Sequence, residues 1–341
     1  MSNNVSLTSE RSSYQAAFAL DVLTAGIAAG LLALAAGPTF KRIKGRRFSI
    51  SSKDRPTPLK TSLGTYLYLF PALLFIFTTY TLSFVSDLLK TTGTIEYDNG
   101  LALHGNRPFD NSNYDHSIAI LSLVSAFLSI LFTVLINGGV WIYSNHTFAN
   151  GTGRAAPSLK SKIYNTLIML AILGTGLAAW GYAVSVRSRN ATWPSTVEND
   201  NTTRIIFIVY RCVIIAASIS VSIEAARKYY RTKAESSRDV RDTNMTALTS
   251  SQANTFQSPE RPNLARFALV VVPLIWIRNA FIIYDIVLLY VDSAAWSDAT
   301  VLASQFLLII FGQITNLTIL GMILWGAWRT GRTVPLFRKM P

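Results

Sequence analysis

The chain has 341 residues, of which 50 % are hydrophobic and only 14 % charged, a balance that excludes a disordered polyelectrolyte and is too apolar for an ordinary soluble domain. A net charge of +13 would suit a polyanion-binding protein, but the Lys and Arg residues gather in short blocks beside apolar runs, which points to lipid headgroups and away from nucleic acid. The lone Cys212 excludes an intramolecular disulfide.

A helix needs about 20 predominantly apolar residues to cross about 30 Å of hydrocarbon, and seven stretches meet that need. A polar tail, residues 1–13, precedes the first, 14–36. The basic block from Lys41 to Arg47 that follows marks an uncleaved helix and not a signal peptide. The second and third, 66–88 and 117–142, flank a loop with Glu96, Asp98, Asp110 and Asp115, which reads as a cap over one end of the bundle. The fourth and fifth are 164–186 and 204–226. A segment rich in Ser, Thr, Asn, Gln and charge, 229–263, is too polar to bury a core and reads as a mobile loop. The sixth and seventh are 268–291 and 301–328, and residues 331–341 form a tail.

The connections assign a side to every helix, because cytoplasmic loops retain Lys and Arg. Eight basic residues lie between helices one and two, three between three and four, eight between five and six, and four after helix seven; the other side carries six. The fold class is therefore an all-α polytopic membrane protein whose membrane domain covers 14–330, with the N-terminus outside or lumenal and the C-terminus cytoplasmic. The host membrane is the endoplasmic reticulum or the plasma membrane, and the oligomeric state is left open. Of the Asn-x-Ser/Thr triplets, those at Asn4, Asn190 and Asn201 fall on the glycan-accepting side.

Ionisable side chains inside the spans carry the functional signal, since each costs several kcal/mol unless it is paired or wet. Asp21, Arg211 and Asp285 share a layer roughly 10 Å below the outer surface at 1.5 Å per residue. Arg278 lies seven residues before Asp285, on nearly the same helix face, with Phe281 between them and Tyr284 nearby. Helix seven adds Gln305, Gln313 and Asn316. Together these predict an outer-half pocket for a lipophilic small molecule, lined by helices one, five, six and seven. The competing reading is structural: the two carboxylates neutralise the two arginines and fix helix register.

Several chemistries lack their residues. Helix seven has no Lys to form a retinal Schiff base, no Asp-rich metal motif serves a diphosphate, and His104, His116 and His146 have no metal spacing, so neither metal nor cofactor is expected. Metal-free, protonation-initiated cyclisation remains, with Asp21 or Asp285 as the catalytic acid and aromatic rings stabilising a carbocation.

The run Pro273, Arg278, Phe281 and Tyr284 resembles the sixth helix of uncharacterised seven-helix membrane proteins of filamentous fungi, a group that includes multipass proteins of indole-diterpene (paxilline-type) clusters. The resemblance covers about a dozen residues and implies a membrane component of terpenoid secondary metabolism, with a metal-free terpene cyclase as its sharpest form. The alternative is a seven-helix receptor or sensor, suited by the outward N-terminus and the long third cytoplasmic loop, although helix three ends in Trp141, Ile142, Tyr143 without the Asp/Glu-Arg-Tyr switch of common G-protein-coupled receptors.

Overall fold

The computed structural model describes residues 3–48, 59–104, 112–152, 159–189, 201–246, 266–288 and 298–332. Those residues are all helical. The elements are α1 (Asn3–Phe48), α2 (Leu59–His104), α3 (Ser112–Thr152), α4 (Leu159–Arg189) and α5 (Asn201–Thr246). Next comes α6, which opens as a π-turn (Phe267–Val271) and continues as α-helix (Val272–Leu288). In α7 two α-helical pieces (Asp298–Leu307 and Thr315–Arg332) flank a π-helical stretch (Leu308–Ile314).

Each of the seven contains a stretch long and apolar enough to cross a membrane: Gln15–Lys41, Thr65–Leu89, His116–Asn145, Leu159–Val186, Thr202–Arg231, Phe267–Tyr284 and Ala303–Trp328. Large apolar side chains also line their outward faces. Leu34, Leu167, Leu170, Ile205 and Leu269 are all more than half exposed, whereas a soluble helix would place polar groups there. The structure is thus that of a multipass membrane protein by length and composition. Helical backbone also runs well beyond the hydrocarbon requirement: α1 covers most of the polar tail, and α5 continues to Thr246 through the first part of the segment expected to be a loop.

Successive helices pack against one another, and α7 closes the bundle by touching α6 on one side and α1 on the other while also reaching α2 and α3. The most apolar 18 residues of its span are 44 % buried, against 17 % for those of α3. Two apolar clusters result. The larger joins Ala28, Tyr66, Leu73, Ile136, Val271 and Ile319 from α1, α2, α3, α6 and α7. The smaller joins Ile130, Ile172, Tyr210, Ile214 and Ile282 from α3, α4, α5 and α6.

Hydrocarbon gives helices no solvent-driven reason to associate, so close packing at small residues must do it. At Gly176 of α4 an added Cβ would sit 2.7 Å from Ile130 of α3 and 2.9 Å from Tyr210 of α5. Gly326 of α7 is tighter still, since the Tyr143 ring of α3 occupies the space a side chain would need. Polar backbone is recruited as well: Trp180 of α4 donates its indole N–H to the Leu123 carbonyl of α3 at 2.9 Å and packs on Phe127. Gly326→Ala is therefore expected to destabilise the purified protein by about 1–3 kcal/mol through overpacking, read as a lower thermal midpoint in detergent. Gly181→Ala, where nothing lies within 4 Å, is the matched substitution that leaves the midpoint unchanged.

Candidate functional site

A belt of polar side chains runs through this apolar interior. On α1, Asp21 is 5 % exposed and Thr24 is fully buried; three residues apart, they occupy one helix face, and that face meets α7. There the Gln313 amide donates from Nε2 to Oδ1 of Asp21 at 2.8 Å, while its Oε1 accepts from the Thr24 hydroxyl at 2.6 Å. The same hydroxyl lies 2.9 Å from the Asp21 carbonyl oxygen. One glutamine thus uses both ends of its amide to hold α1.

Gln313 stands where α7 widens. In a π-turn the N–H reaches back five residues, which loosens the regular ladder and leaves carbonyls open to other donors; such turns recur at functional sites. Two side-chain hydroxyls take up that capacity. Tyr80 of α2 donates to the Gln313 carbonyl at 3.2 Å, and Thr315 donates to the Ile310 carbonyl at 3.4 Å. The Asn316 side chain lies beside the Tyr80 hydroxyl, and its Oδ1 is buried without a hydrogen bond.

On the α6 side, Arg278 is 7 % exposed. Its guanidinium lies within electrostatic range of the Tyr80 and Tyr210 hydroxyls and of Arg211, so it sits where the two apolar clusters meet. No carboxylate among the described residues pairs with it. The next residue, Asn279, is 1 % exposed, and neither its Oδ1 nor its Nδ2 has a hydrogen-bond partner. Thr133 of α3 lies beside the Tyr210 hydroxyl, which extends the belt across the bundle. Phe281, one turn from Arg278, packs next to Gly312 in the π-helical stretch and against the Tyr284 ring at 5.7 Å.

The layer expected from sequence is therefore assembled differently in detail. Asp21 and Gln313 meet directly, Asn316 joins them through Tyr80, and Arg211 and Arg278 come together as like charges on neighbouring helices. Gln305 is half-buried about two turns from Gln313. The pairing of Arg278 with Asp21 is not formed. The side chains of Asp285, Asn4 and Asn201, and the whole of Asn190, lie outside the described residues. Helices two and three contribute through Tyr80 and Thr133, which the expected four-helix lining leaves out. The spacing of Thr24 after Asp21 was the available signal for the α1 face; nothing local marks Tyr80 or Tyr210 as members of the belt.

Among the described residues no group of three or more His, Cys, Asp or Glu side chains is placed to hold a metal ion. What the arrangement offers chemically is a fixed carboxylate, hydroxyls at its centre and the buried Arg278 guanidinium. Compared with known protein families, curated proteins and solved structures, the chain matches none.

Two substitutions separate the roles within the belt. Gln313→Leu removes the cross-helix hydrogen bonds to the Asp21 carboxylate and from the Thr24 hydroxyl and is expected to cost about 1–3 kcal/mol of stability, read as a lower thermal midpoint or faster unfolding in detergent. Asp21→Asn keeps an oxygen for the Gln313 amide to reach, so the midpoint should stay close to wild type.

Proposed function

We propose that this chain is a seven-helix integral membrane protein that binds a lipophilic small molecule with an anionic head inside its bundle and acts as a receptor or sensor for it. The supporting observation is Arg278: a buried guanidinium with no carboxylate partner among the described residues, beside Arg211 and next to an Asn279 amide whose donor and acceptor are both buried and unused. A buried charge without a counter-charge is costly, and an acidic ligand head would supply both the charge and the hydrogen bonds. Its apolar body would lie on the surrounding rings, among them Phe281 and Tyr284.

In this reading Asp21 is a fastener. Its Oδ1 is engaged by Gln313 and its neighbour Thr24 completes the clasp, so it holds α1 to α7 at the π-helical stretch. A ligand touching α6 through Arg278 would bear on α7 through the Phe281 contact with Gly312. The orientation follows the basic loops, with the N-terminus outside or lumenal, the C-terminus cytoplasmic and the belt in the outer half. The endoplasmic reticulum and the plasma membrane both suit that topology.

A second reading, participation in terpenoid-type secondary metabolism as a metal-free cyclase, draws on the Phe281–Tyr284 ring pair near a buried carboxylate, since such rings stabilise carbocations. It requires Asp21 or Asp285 to deliver a proton, and Asp21 is occupied as an acceptor.

The two readings part in one experiment. Full-length protein purified from its native membranes is extracted with organic solvent, and bound lipophiles are identified by mass spectrometry for wild type, Arg278→Gln and Asp21→Asn. The receptor reading expects an acidic lipophile that falls at least about tenfold in Arg278→Gln, the order of a charge-assisted hydrogen bond, and stays in Asp21→Asn. Equal recovery from wild type and Arg278→Gln contradicts it. The cyclase reading instead expects loss of a cyclised product from cells carrying either carboxylate variant, Asp21→Asn or Asp285→Asn.

A further inference from the structure

Away from this belt, α4 and α5 leave a groove of about 540 Å³ at their ends nearest the basic loops. Its polar end is built by Tyr164 and Asn165 of α4 and by Ser220, Glu224 and Arg227 of α5; its far end continues over Ala216, Ile219 and Ile223. Steps of three or four residues along α5 keep these side chains on one face. The eleven steps from Ala216 to Arg227 correspond to a track of about 16 Å along the helix axis at 1.5 Å per residue. That is a polar head followed by an apolar trough running into the span. The rim is open sideways: Tyr164 is 55 % and Ile223 47 % exposed, so the groove faces the bilayer and not the bundle interior.

The charged groups are held in place. Lys228 pairs with Oε1 of Glu224 at 2.8 Å and also donates to Oδ1 of Asn145 on α3, so the carboxylate is anchored by a bridge to a third helix. Asn165 turns its amide N–H₂ onto the Ser161 carbonyl at 2.8 Å, which leaves its oxygen for the groove. The Ser220 hydroxyl donates to the Tyr164 oxygen at 3.4 Å, so the Tyr164 proton is available to an acceptor. Arg227 is exposed beside it, with Lys160 exposed on the first turn of α4. A cation and a phenol O–H therefore stand next to an anchored carboxylate three residues away on the same helix face.

We propose that this groove binds a glycerophospholipid with an ethanolamine head, in the leaflet next to the basic loops. The phosphodiester accepts from the Arg227 guanidinium and the Tyr164 hydroxyl. The ammonium, two carbons from the phosphate oxygen, meets Glu224, whose i,i+3 spacing from Arg227 matches that short bridge. One acyl chain follows Ala216, Ile219 and Ile223. This site does not depend on the ligand assigned to Arg278.

The test is native mass spectrometry of the full chain in detergent, titrated with dioleoylphosphatidylethanolamine, dioleoylglycerol and dioleoylphosphatidic acid. One phosphatidylethanolamine per chain is expected at concentrations at least about tenfold below those needed for dioleoylglycerol, because the phosphate contacts are charge-assisted. The double variant Arg227→Ala/Tyr164→Phe should lose that advantage, whereas Arg231→Ala, exposed one turn further along α5, should keep it. Glu224→Gln should remove the preference for phosphatidylethanolamine over phosphatidic acid. Equal binding of dioleoylglycerol and phosphatidylethanolamine by wild type, or an undiminished advantage in the double variant, overturns the phosphate site. A preference for phosphatidic acid in wild type overturns the assignment of Glu224 to the ammonium.

Discussion

Hydrocarbon offers no hydrogen bonds, so every polar group carried into the bundle must find its partner there or bring one in. Most of the interior obeys this by the cheapest route. Thr39, Ser218, Ser222 and Asn137 each return a hydrogen bond to the carbonyl one turn back on their own helix, and so ask nothing of their neighbours. Other polar groups do not. Asp21, Thr24, Tyr80 and Gln313 hydrogen-bond one another across helices, and the Asn279 side chain has no hydrogen-bond partner. The second kind of polar group couples helices; the third is where the proposed ligand would bind.

Gln313 is the junction of that coupling. Its side chain grips α1, its main-chain carbonyl is held from α2, and its own helix is widened at that point. A π-helical stretch differs from an α-helix by a shift of partners along the ladder. A change at Gly312, where Phe281 rests, is therefore within one helical turn of the Gln313 hydrogen bonds that tie α7 to α1 and α2. In the proposed receptor reading, a ligand head on α6 would have a short mechanical route to α7, through packed side chains and without a long chain of intermediates. The groove between α4 and α5 stands apart from this route, at the other depth and on the lipid side.

Composition made the bundle legible. Runs such as the one around Leu73 and Ile76 or around Ile319 and Ile323 are apolar over the full length a bilayer needs, and hydropathy places the span ends within a few residues: 66–88 was expected where the structure has Thr65–Leu89. Asp21 and Gln313 were visible for the same reason, as polar exceptions in apolar surroundings. Their direct contact was not, because it depends on how α7 is rotated against α1, which is set by close packing at residues such as Gly326 and Tyr143. The π-helical stretch left no mark in the sequence, since Leu308–Ile314 reads as an ordinary apolar segment. Helix ends were illegible too: Gly37 and Pro38 look like a stop, yet α1 runs on to Phe48. A proline removes one N–H and one ladder bond, which a long helix with neighbours along its side tolerates.

The central claim is that Arg278 and Asn279 serve a ligand and not another side chain of this protein. An experimental density map of the full-length protein, taken from its native membranes at a resolution that shows side chains, tests it most directly. The account predicts non-protein density within hydrogen-bonding distance of the Arg278 guanidinium and the Asn279 amide, between Tyr80 and Tyr210. A guanidinium seated on the carboxylate of Asp285 or Asp21, with no additional density beside it, would contradict the account and make the belt a purely structural lock.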